Sequence, residues 1–211
     1  CNSLIKQSQR FVSGSQIFAL VNNDEAGEAL GRLESIIHTC QAFRDKVSLY
    51  TEISAQQGRS SGGWKIQVGA VFARLNEFSQ RVAELVEFVN TVLQFTRLEK
   101  IEFGGGSKGP ELSRGVETIV ERFKASVAAF QAASEDVMEG GKSFEKNYSQ
   151  FCVSIAELDK RVSHLISSGF EDVHSLNGRL KLLDSFEGMW ERPWLKNELE
   201  RRFVALLDHY K

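Results

Sequence analysis

A regular apolar stripe runs along the last third of the chain. Seven large side chains recur there at spacings of 4, 3, 4, 3, 4 and 3 residues: Phe144, Tyr148, Phe151, Ile155, Leu158, Val162 and Leu165. A helix turns once in about 3.6 residues, whereas the side chains of a strand alternate with a period of two. The pattern therefore predicts one long α-helix with a single apolar face.

Similar stripes recur along the rest of the chain, and no strand-like alternation interrupts them. The longest predicted helix runs from Lys65 to Phe103, about 58 Å at 1.5 Å per residue. Its stripe is wide, so we expect it to be covered on more than one side. Other stripes predict helices over Leu30–Tyr50, Leu112–Phe130, Phe170–Phe186 and Leu195–Tyr210. The predicted fold is all-α, an elongated bundle of antiparallel helices joined by short glycine-rich turns.

Capping residues, glycines and prolines mark the predicted helix boundaries. Gly14 and the serines beside it divide the segment before Val21 into two short pieces, and Asn22–Glu25 begins the next helix. Glycine ends helices because it adopts left-handed torsions without a Cβ clash, and proline suits the first helical turn. The later boundaries are predicted at Gly104, Pro110, Gly140, Gly141, Gly169 and Pro193.

One polar, glycine-rich segment divides the chain. Residues 55–63 (AQQGRSSGG) predict a flexible loop, with an N-terminal helical segment at 1–54 and a helical bundle at 64–211. The sequence begins with Cys1 rather than methionine, and its last helical pattern continues almost to Lys211. We therefore expect it to be a piece of a longer polypeptide.

The composition argues against several classes of partner. The chain carries 26 basic and 28 acidic residues without a basic stripe, so we expect no nucleic acid to bind. No apolar run approaches the roughly 20 residues that span a bilayer, and no signal peptide is present, so we expect no membrane insertion. Cys1, Cys40 and Cys152 have the spacing of neither a disulfide framework nor a metal site; Cys40 and Cys152 are predicted to be buried free thiols.

The residue types that carry chemistry do not cluster in the sequence. Residues 104–109 (GGGSKG) follow a helix rather than a strand and lack the order of a phosphate-binding loop. The histidines His38, His164, His174 and His209 do not have metal-ligand spacing. Acidic and basic residues alternate on the polar helix faces, as in the pair Glu77–Arg81. We expect no catalytic, cofactor-binding or metal-binding residue, and no cofactor.

Five residues are candidate partner contacts: Val86, Phe88, Phe95, Trp190 and Trp194. The first three widen the stripe of the long helix, so we expect them to meet another helix, of this chain or of a partner. The two tryptophans flank Glu191–Pro193 in a predicted corner between helices. Tryptophan often anchors partner binding, and it also plugs the corners of helical bundles, so both interpretations stay open.

Several short segments carry a family resemblance. They are Val71–Phe78 (VFARLNEF), Leu98–Gly105 (LEKIEFGG), Phe170–Val173 (FEDV), Leu180–Gly188 (LKLLDSFEG), Glu191–Pro193 (ERP) and Lys196–Glu200 (KNELE). Together they resemble the N-terminal tail of dynein heavy chains, most of all axonemal chains of the outer-arm type. The LLDSF core and the ERP turn are the most specific parts, and the matching segments extend from about Val71 to Leu207.

The resemblance implies a place in the stem of a motor complex. The tail of these heavy chains is a stack of helical bundles that joins heavy chains to one another, receives intermediate chains and anchors the complex to its cargo. In axonemal dyneins this cargo is the doublet microtubule with its docking machinery, and the complex moves cilia and flagella. The ATP-driven motor and the microtubule-binding stalk lie elsewhere in the family, so this segment is not expected to be an enzyme. The resemblance transfers no individual functional residue.

Two other hypotheses stay open at the level of the sequence. The chain could be a helical tether or adaptor scaffold unrelated to motors, such as a spectrin-like or vesicle-tethering bundle, which different partners would reveal. It could also be an enzyme with a helical fold, which would require titratable groups gathered in a pocket.

Overall fold

Helices make up all the regular secondary structure in the computed structural model, which describes residues 1–23, 25–56, 68–101, 107–133 and 142–209. The prediction of an all-α fold is confirmed. The α-helices are α1 (Asn2–Phe11), α2 (Gly14–Asn22), α3 (Ala26–Gln56), α4 (Val68–Thr96), α5 (Gly109–Ala133), α6 (Lys142–Asp172), α7 (Leu176–Ser185) and α8 (Pro193–His209). Two short 3-10 helices occupy Arg97–Lys100 and Glu187–Met189.

The chain forms two compact units. The first comprises Cys1–Asn90 and Ser134–Glu145, and the second comprises Thr91–Ala133 and Lys146–Lys211. Helices α4 and α6 each contribute residues to both units. The units divide the chain inside α4 rather than at residues 55–63; α3 includes Ala55 and Gln56, and residues 57–63 lie outside the described part of the chain. The proposed domain division at 55–63 stays a prediction.

In the first unit, a serine rather than a glycine separates α1 from α2. The Ser13 hydroxyl accepts a hydrogen bond from the Gln16 backbone N–H at 3.2 Å, and the Gln16 side chain accepts one from the Ser13 N–H at 3.3 Å. This reciprocal pair satisfies two backbone donors that an α-helix leaves unpaired at its start. The predicted break is therefore in the right place, but Gly14 is already the first residue of α2.

The core of the first unit contains an aromatic contact between α2 and α4. The Phe18 and Phe88 rings meet edge to face, with 5.8 Å between their centroids and 78° between their planes. Other apolar side chains of this unit are fully buried: Val12, Ile17, Leu33, Leu75 and Leu85. Leu33, Leu75 and Leu85 belong to the predicted apolar stripes and are buried as expected, whereas Tyr50 at the end of the α3 stripe is exposed.

In the second unit, α5 and α6 pack antiparallel. Leu112, near the start of α5, lies against Gly169 near the end of α6. At the opposite end of the pair, the rings of Phe130 and Phe151 have centroids 5.4 Å apart. The Asn147 side chain also donates a hydrogen bond of 2.8 Å to the carbonyl of Ala133, the last residue of α5.

Helices α6 and α8 run in the same direction. Asp159 contacts Arg192 just before α8, and Ser167 contacts Glu198 two turns later. Further along both helices, the Arg202 guanidinium lies 5.2 Å above the Phe170 ring. The parallel arrangement arises because α7 and the 3-10 helix at Glu187–Met189 carry the chain back between them.

The prediction that Gly169 ends a helix is wrong, since α6 continues to Asp172 and includes Phe170. Gly169 is buried, and a Cβ atom there would come within 3.2 Å of methyl groups of both Leu112 and Leu182. Its small size therefore permits close packing of α5, α6 and α7 rather than a left-handed turn. Local glycine rules cannot distinguish the two uses.

Other predicted boundaries have mixed outcomes. Helix α4 ends at Thr96 and a 3-10 turn continues to Lys100, so the α-helix stops short of the predicted Phe103. Pro193 opens α8, and Pro110 is the second residue of α5. The boundaries predicted at Lys65, Gly104, Gly140 and Gly141 lie outside the described residues.

Of the two cysteines predicted to be buried thiols, Cys40 is buried and Cys152 is exposed. Cys152 lies next to Phe151 on α6, one position off the buried stripe. Burial raises the pKa of the Cys40 thiol, with smaller opposing effects from Ser79 and Arg44. Cys40 is therefore a thiol of low reactivity that fills space in the core.

Candidate functional site

Arg192 lies in the corner between the 3-10 helix at Glu187–Met189 and α8, where it forms a buried ion pair. Its Nε donates to Asp159 Oδ1 at 2.5 Å, and its Nη2 donates to Asp159 Oδ2 at 2.7 Å. Arg192 is 8% exposed and Asp159 is 3% exposed. The two parallel hydrogen bonds use the planar fork of the guanidinium, a geometry that a lysine cannot reproduce.

The remaining contacts of Arg192 come from α4. Its Nη1 donates to Gln94 Oε1 at 2.8 Å, and its guanidinium carbon lies 4.9 Å from the centroid of the Phe95 ring. Phe95 in turn stacks on Phe123 of α5, with centroids 4.4 Å apart and planes inclined by 9°. The Arg192 side chain therefore contacts Gln94 and Phe95 of α4 and Asp159 of α6 directly. It is connected to α5 indirectly, because Phe95 stacks on Phe123.

Backbone hydrogen bonds fix the position of Arg192 at the start of α8. Its backbone N–H donates to the Met189 carbonyl at 3.1 Å, and its own carbonyl accepts from Leu195 and Lys196 at 3.0 and 2.9 Å. Arg192 is therefore the N-cap residue of α8. Pro193 follows as the first helical residue, where its missing N–H leaves no bond unmade.

An open groove lies beside this corner, between α7 and α8. We call it the α7–α8 groove; its volume is about 640 Å³. It is lined by Leu180, Lys181, Leu183, Asp184, Glu187, Trp190, Glu191 and Phe203. Leu180 and Phe203 are each 39% exposed, and Trp190 is half-buried. The groove thus combines an accessible apolar floor with charged side chains.

A second polar cluster joins α6 to α8 further along. Glu198 accepts hydrogen bonds from Ser167 at 3.0 Å, from Arg202 at 2.8 Å and from Arg201 at 2.7 Å. Partial burial raises the pKa of Glu198, but the hydrogen bonds from the two arginines and the serine outweigh it and hold the pKa below its ordinary value. The carboxylate therefore stays charged and ties the two helices together.

The five candidate partner contacts have different surroundings. Phe88 and Phe95 are buried inside the chain, where they contact Phe18 and Phe123. These two aromatic residues do meet other helices, and those helices belong to this chain. Val86 is half-buried. A role for any of the five in binding a partner stays a prediction.

The two tryptophans differ from each other. Trp190 lines the α7–α8 groove and is half-buried. Trp194 is 59% exposed, and the Lys160 ammonium lies 5.7 Å from its ring centroid. Neither tryptophan is fully buried in the corner between the 3-10 helix and α8. The buried side chain there is Arg192.

Sequence reasoning missed the central residues of this site. The sequence patterns do not single out Asp159, and they include Arg192 only as part of the Glu191–Pro193 turn. A signal was present: Asp159 directly follows Leu158 of the apolar stripe and lies three residues before Val162. An acidic residue on a buried face requires a cationic partner, and an arginine in a tight corner is a candidate.

The polar clusters around Arg192 and Glu198 connect helices. Among the residues that the structure describes, no group of three or more histidine, cysteine or acidic side chains is placed to hold a metal ion. None of the described helices is long and apolar enough to cross a bilayer. The altered pKa values of Cys40, Asp172 and Glu198 belong to three separate places among the described residues.

Comparison with known proteins reveals clear relatives. The profile of the family described as "Dynein heavy chain, N-terminal region 1" matches residues 1–211. The dynein beta chain of the flagellar outer arm of Chlamydomonas reinhardtii is 34% identical over 211 residues, which is 100% of this chain and 4% of that protein. The ciliary dynein beta chain of Tripneustes gratilla is 30% identical over 217 residues, with 100% and 5% covered.

A human protein is also similar to this chain over almost its whole length. Dynein axonemal heavy chain 17 is 26% identical over 214 residues, covering 99% of this chain and 5% of its own length. The chain thus spans only 4 to 5% of these relatives. Because the family profile covers every residue and a relative exceeds 30% identity, the chain belongs to the dynein heavy chain family, in its N-terminal region 1.

Proposed function

We propose that this chain is a non-catalytic tail segment of a dynein heavy chain, a structural and assembly element of the complex. It would link the heavy chain to other heavy chains and to intermediate chains, and would anchor the motor to the axonemal doublet microtubule. The observation that carries this proposal is the family match over residues 1–211. The relatives named as flagellar, ciliary and axonemal dyneins favour a ciliary or flagellar axoneme as its location.

The packing of the second unit supports a mechanical role. Arg192 binds α4 and α6 together, and Glu198 binds α6 to α8. Such cross-links between close-packed helices resist sliding, because each helix shift would leave a charged group without its partner. A segment that transmits force between a motor and its cargo benefits from this stiffness. The ATP-driven motor activity would belong to other parts of the heavy chain.

The test replaces residues 1–211 within the full-length heavy chain by a helical spacer of equal length. We expect the purified complex to lose intermediate chains or the second heavy chain by roughly tenfold or more, while its ATPase activity persists. The matched control carries the aligned segment of the Chlamydomonas reinhardtii relative, which should retain the subunits. If the spacer variant retains all subunits and still docks on doublet microtubules, the segment has no assembly role.

A further inference from the structure

The apolar floor of the α7–α8 groove extends onto the surface of α8. Phe203 lines the groove, and the exposed side chains of Val204 and Leu207 follow it on α8. Leu207 is four residues after Phe203 and three after Val204, so the three lie on neighbouring parts of one helix face. Across the groove, Leu180 of α7 is also exposed, so both walls carry accessible apolar side chains. Contiguous exposed apolar surface of this kind typically marks an interaction site.

The charged side chains around the groove are mainly acidic. Asp184, Glu187 and Glu191 line it, and Lys181 is the one basic residue among the described residues of the lining. Within the described part of the chain, none of the three carboxylates forms an ion pair. Three carboxylates against one lysine leave the described lining of the groove with a net negative charge. A positively charged partner would gain both affinity and faster association from it.

The walls of the groove restrict the conformation of an occupant. Both sides are helices, whose backbone groups bond within each helix, so they offer no strand edge to an extended peptide. An extended segment would leave its own N–H and C=O groups unpaired over the apolar floor. A helix satisfies these groups internally and can place side chains at i, i+3, i+4 and i+7 on the floor.

We propose that the α7–α8 groove receives a basic amphipathic helix from another polypeptide of the complex. The apolar face of that helix would pack on Trp190, Leu180 and Phe203, and its lysines or arginines would face Glu187 and Glu191. Trp190 is the anchor, since a large half-buried ring beside a groove offers the most apolar area at little entropic cost. The proposal rests on the assembly function proposed above, and it gives that function a surface and a partner chemistry.

The first experiment identifies the occupant directly. A photoreactive phenylalanine analogue replaces Phe203 in the full-length heavy chain, and the intact complex is irradiated. Mass spectrometry then identifies the cross-linked peptide. We expect one segment of another polypeptide, with apolar residues at helical spacing and an excess of lysine and arginine. The same analogue at exposed Val153 of α6 is the matched control and should not capture that segment. No cross-linked polypeptide, or an acidic one, would overturn the proposal.

The second experiment tests the charges without altering the apolar floor. The double variant Glu187→Lys and Glu191→Lys should weaken retention of the cross-linked subunit by roughly tenfold at low salt. It should also abolish the loss of binding that salt causes in the unsubstituted complex, because salt screens attraction between exposed charges. The control variant Glu117→Lys and Glu121→Lys changes two exposed carboxylates of α5 and should bind normally. Equal binding by both variants would refute a basic partner.

The two proposals fail in different ways. A third variant, Phe203→Asp, places a charge on the apolar floor of the groove. If the helical spacer releases subunits while Phe203→Asp and the Glu187/Glu191 variant retain them, the assembly function stands and the groove is not the contact. If the complex with the spacer retains every subunit, the proposed assembly function is refuted, and the groove proposal that rests on it is refuted as well. Circular dichroism of each variant establishes that the helices are intact. The Glu187/Glu191 variant keeps every apolar lining residue, so it tests the groove even if Phe203→Asp does not fold.

Discussion

Arg192 combines three kinds of contact that would be hard to replace together. It binds the Asp159 carboxylate with two hydrogen bonds, the Gln94 amide with a third, and the face of the Phe95 ring with its guanidinium plane. A buried ion pair seldom stabilises a fold more than apolar residues of the same volume would. Its value lies in specificity, because only one placement of the corner brings both charges together. That placement also positions Trp190 at the groove.

Removing Arg192 should therefore be much more harmful than removing an exposed arginine. Arg192→Met leaves the Asp159 carboxylate buried without a partner, and we expect a loss of about 3–5 kcal/mol in the free energy of unfolding. Arg201→Met is the control; its exposed ion pair with Glu198 should contribute less than about 1 kcal/mol. Urea unfolding followed by tryptophan fluorescence measures both, in a Trp64→Phe background so that Trp190 and Trp194 report on the second unit.

A double variant separates the pair from simple loss of volume. Arg192→Met with Asp159→Leu removes both charges, so we expect it to recover at least half of the stability that Arg192→Met loses. If Arg192→Met is no worse than Arg201→Met, the buried pair does not hold the corner. If the double variant is as unstable as the single one, the loss comes from packing around Phe95 rather than from an unpaired charge.

The Arg192–Asp159 ion pair shows which parts of the site can be predicted from the sequence and which cannot. The corner itself was predicted, because Pro193 opens α8 and two tryptophans flank it. The partner of Arg192 was not, since Asp159 lies 33 residues away and meets it only because α7 returns the chain alongside α6. The groove was missed for the same reason. Leu180 and Phe203 each look like ordinary stripe residues until two helices bring them together.

At the scale of elements, the apolar stripes located helices well and their ends less well. The stripe from Phe144 to Leu165 lies within α6, as predicted. The end of α6 depends instead on tertiary contacts that no local pattern contains. Gly169 fits between Leu112 and Leu182, and the helix stops at Asp172, whose carboxylate binds the residues that lead into α5. Helix propensity and capping rules are local, so long-range contacts override them.

The Asp172 carboxylate predicts a specific dependence of stability on pH. It accepts hydrogen bonds from the Ser107 hydroxyl at 2.6 Å and from the Lys108 N–H at 2.7 Å. The hydrogen bond from Ser107, followed by that from Lys108, holds the pKa of Asp172 below its ordinary value. A carboxyl group with a lower pKa in the folded chain stabilises it above the unfolded pKa, about 3.9 for aspartate. That stabilisation is lost as the pH falls through the folded pKa.

We expect Asp172→Ala to be less stable than the unsubstituted chain near neutral pH, and the difference to shrink below about pH 4. The free energy of unfolding, measured in urea at a series of pH values, tests this. Asp184→Ala is the matched control: this exposed carboxylate near the end of α7 lacks the hydrogen bonds that Asp172 accepts from Ser107 and Lys108. A difference that stays constant or grows on acidification would show that Asp172 does not act through its charged form.

At the scale of the whole molecule, two compact units each contain their own aromatic contact. Phe18 meets Phe88 in the first unit, and Phe95 stacks on Phe123 in the second. Helices α4 and α6 supply residues to both units. Under the proposed function, the segment would have to hold its shape while other subunits bind. Whether its units open together or separately therefore bears on how it could carry load, and local opening can be measured for each helix.

The aromatic contacts allow the two units to be destabilised one at a time. Phe18→Ala and Phe123→Ala each remove a buried ring, a change that costs about 3–5 kcal/mol in a well-packed core. Because the two rings belong to different compact units, we expect the loss of amide hydrogen-exchange protection to concentrate in α2 and α3 for Phe18→Ala. For Phe123→Ala it should concentrate in α5 and α8. Each variant is the control for the other, measured by exchange and mass spectrometry on the same peptides. If both variants lower protection equally along the whole chain, the two units unfold as one cooperative structure, and the expectation of separate opening is wrong.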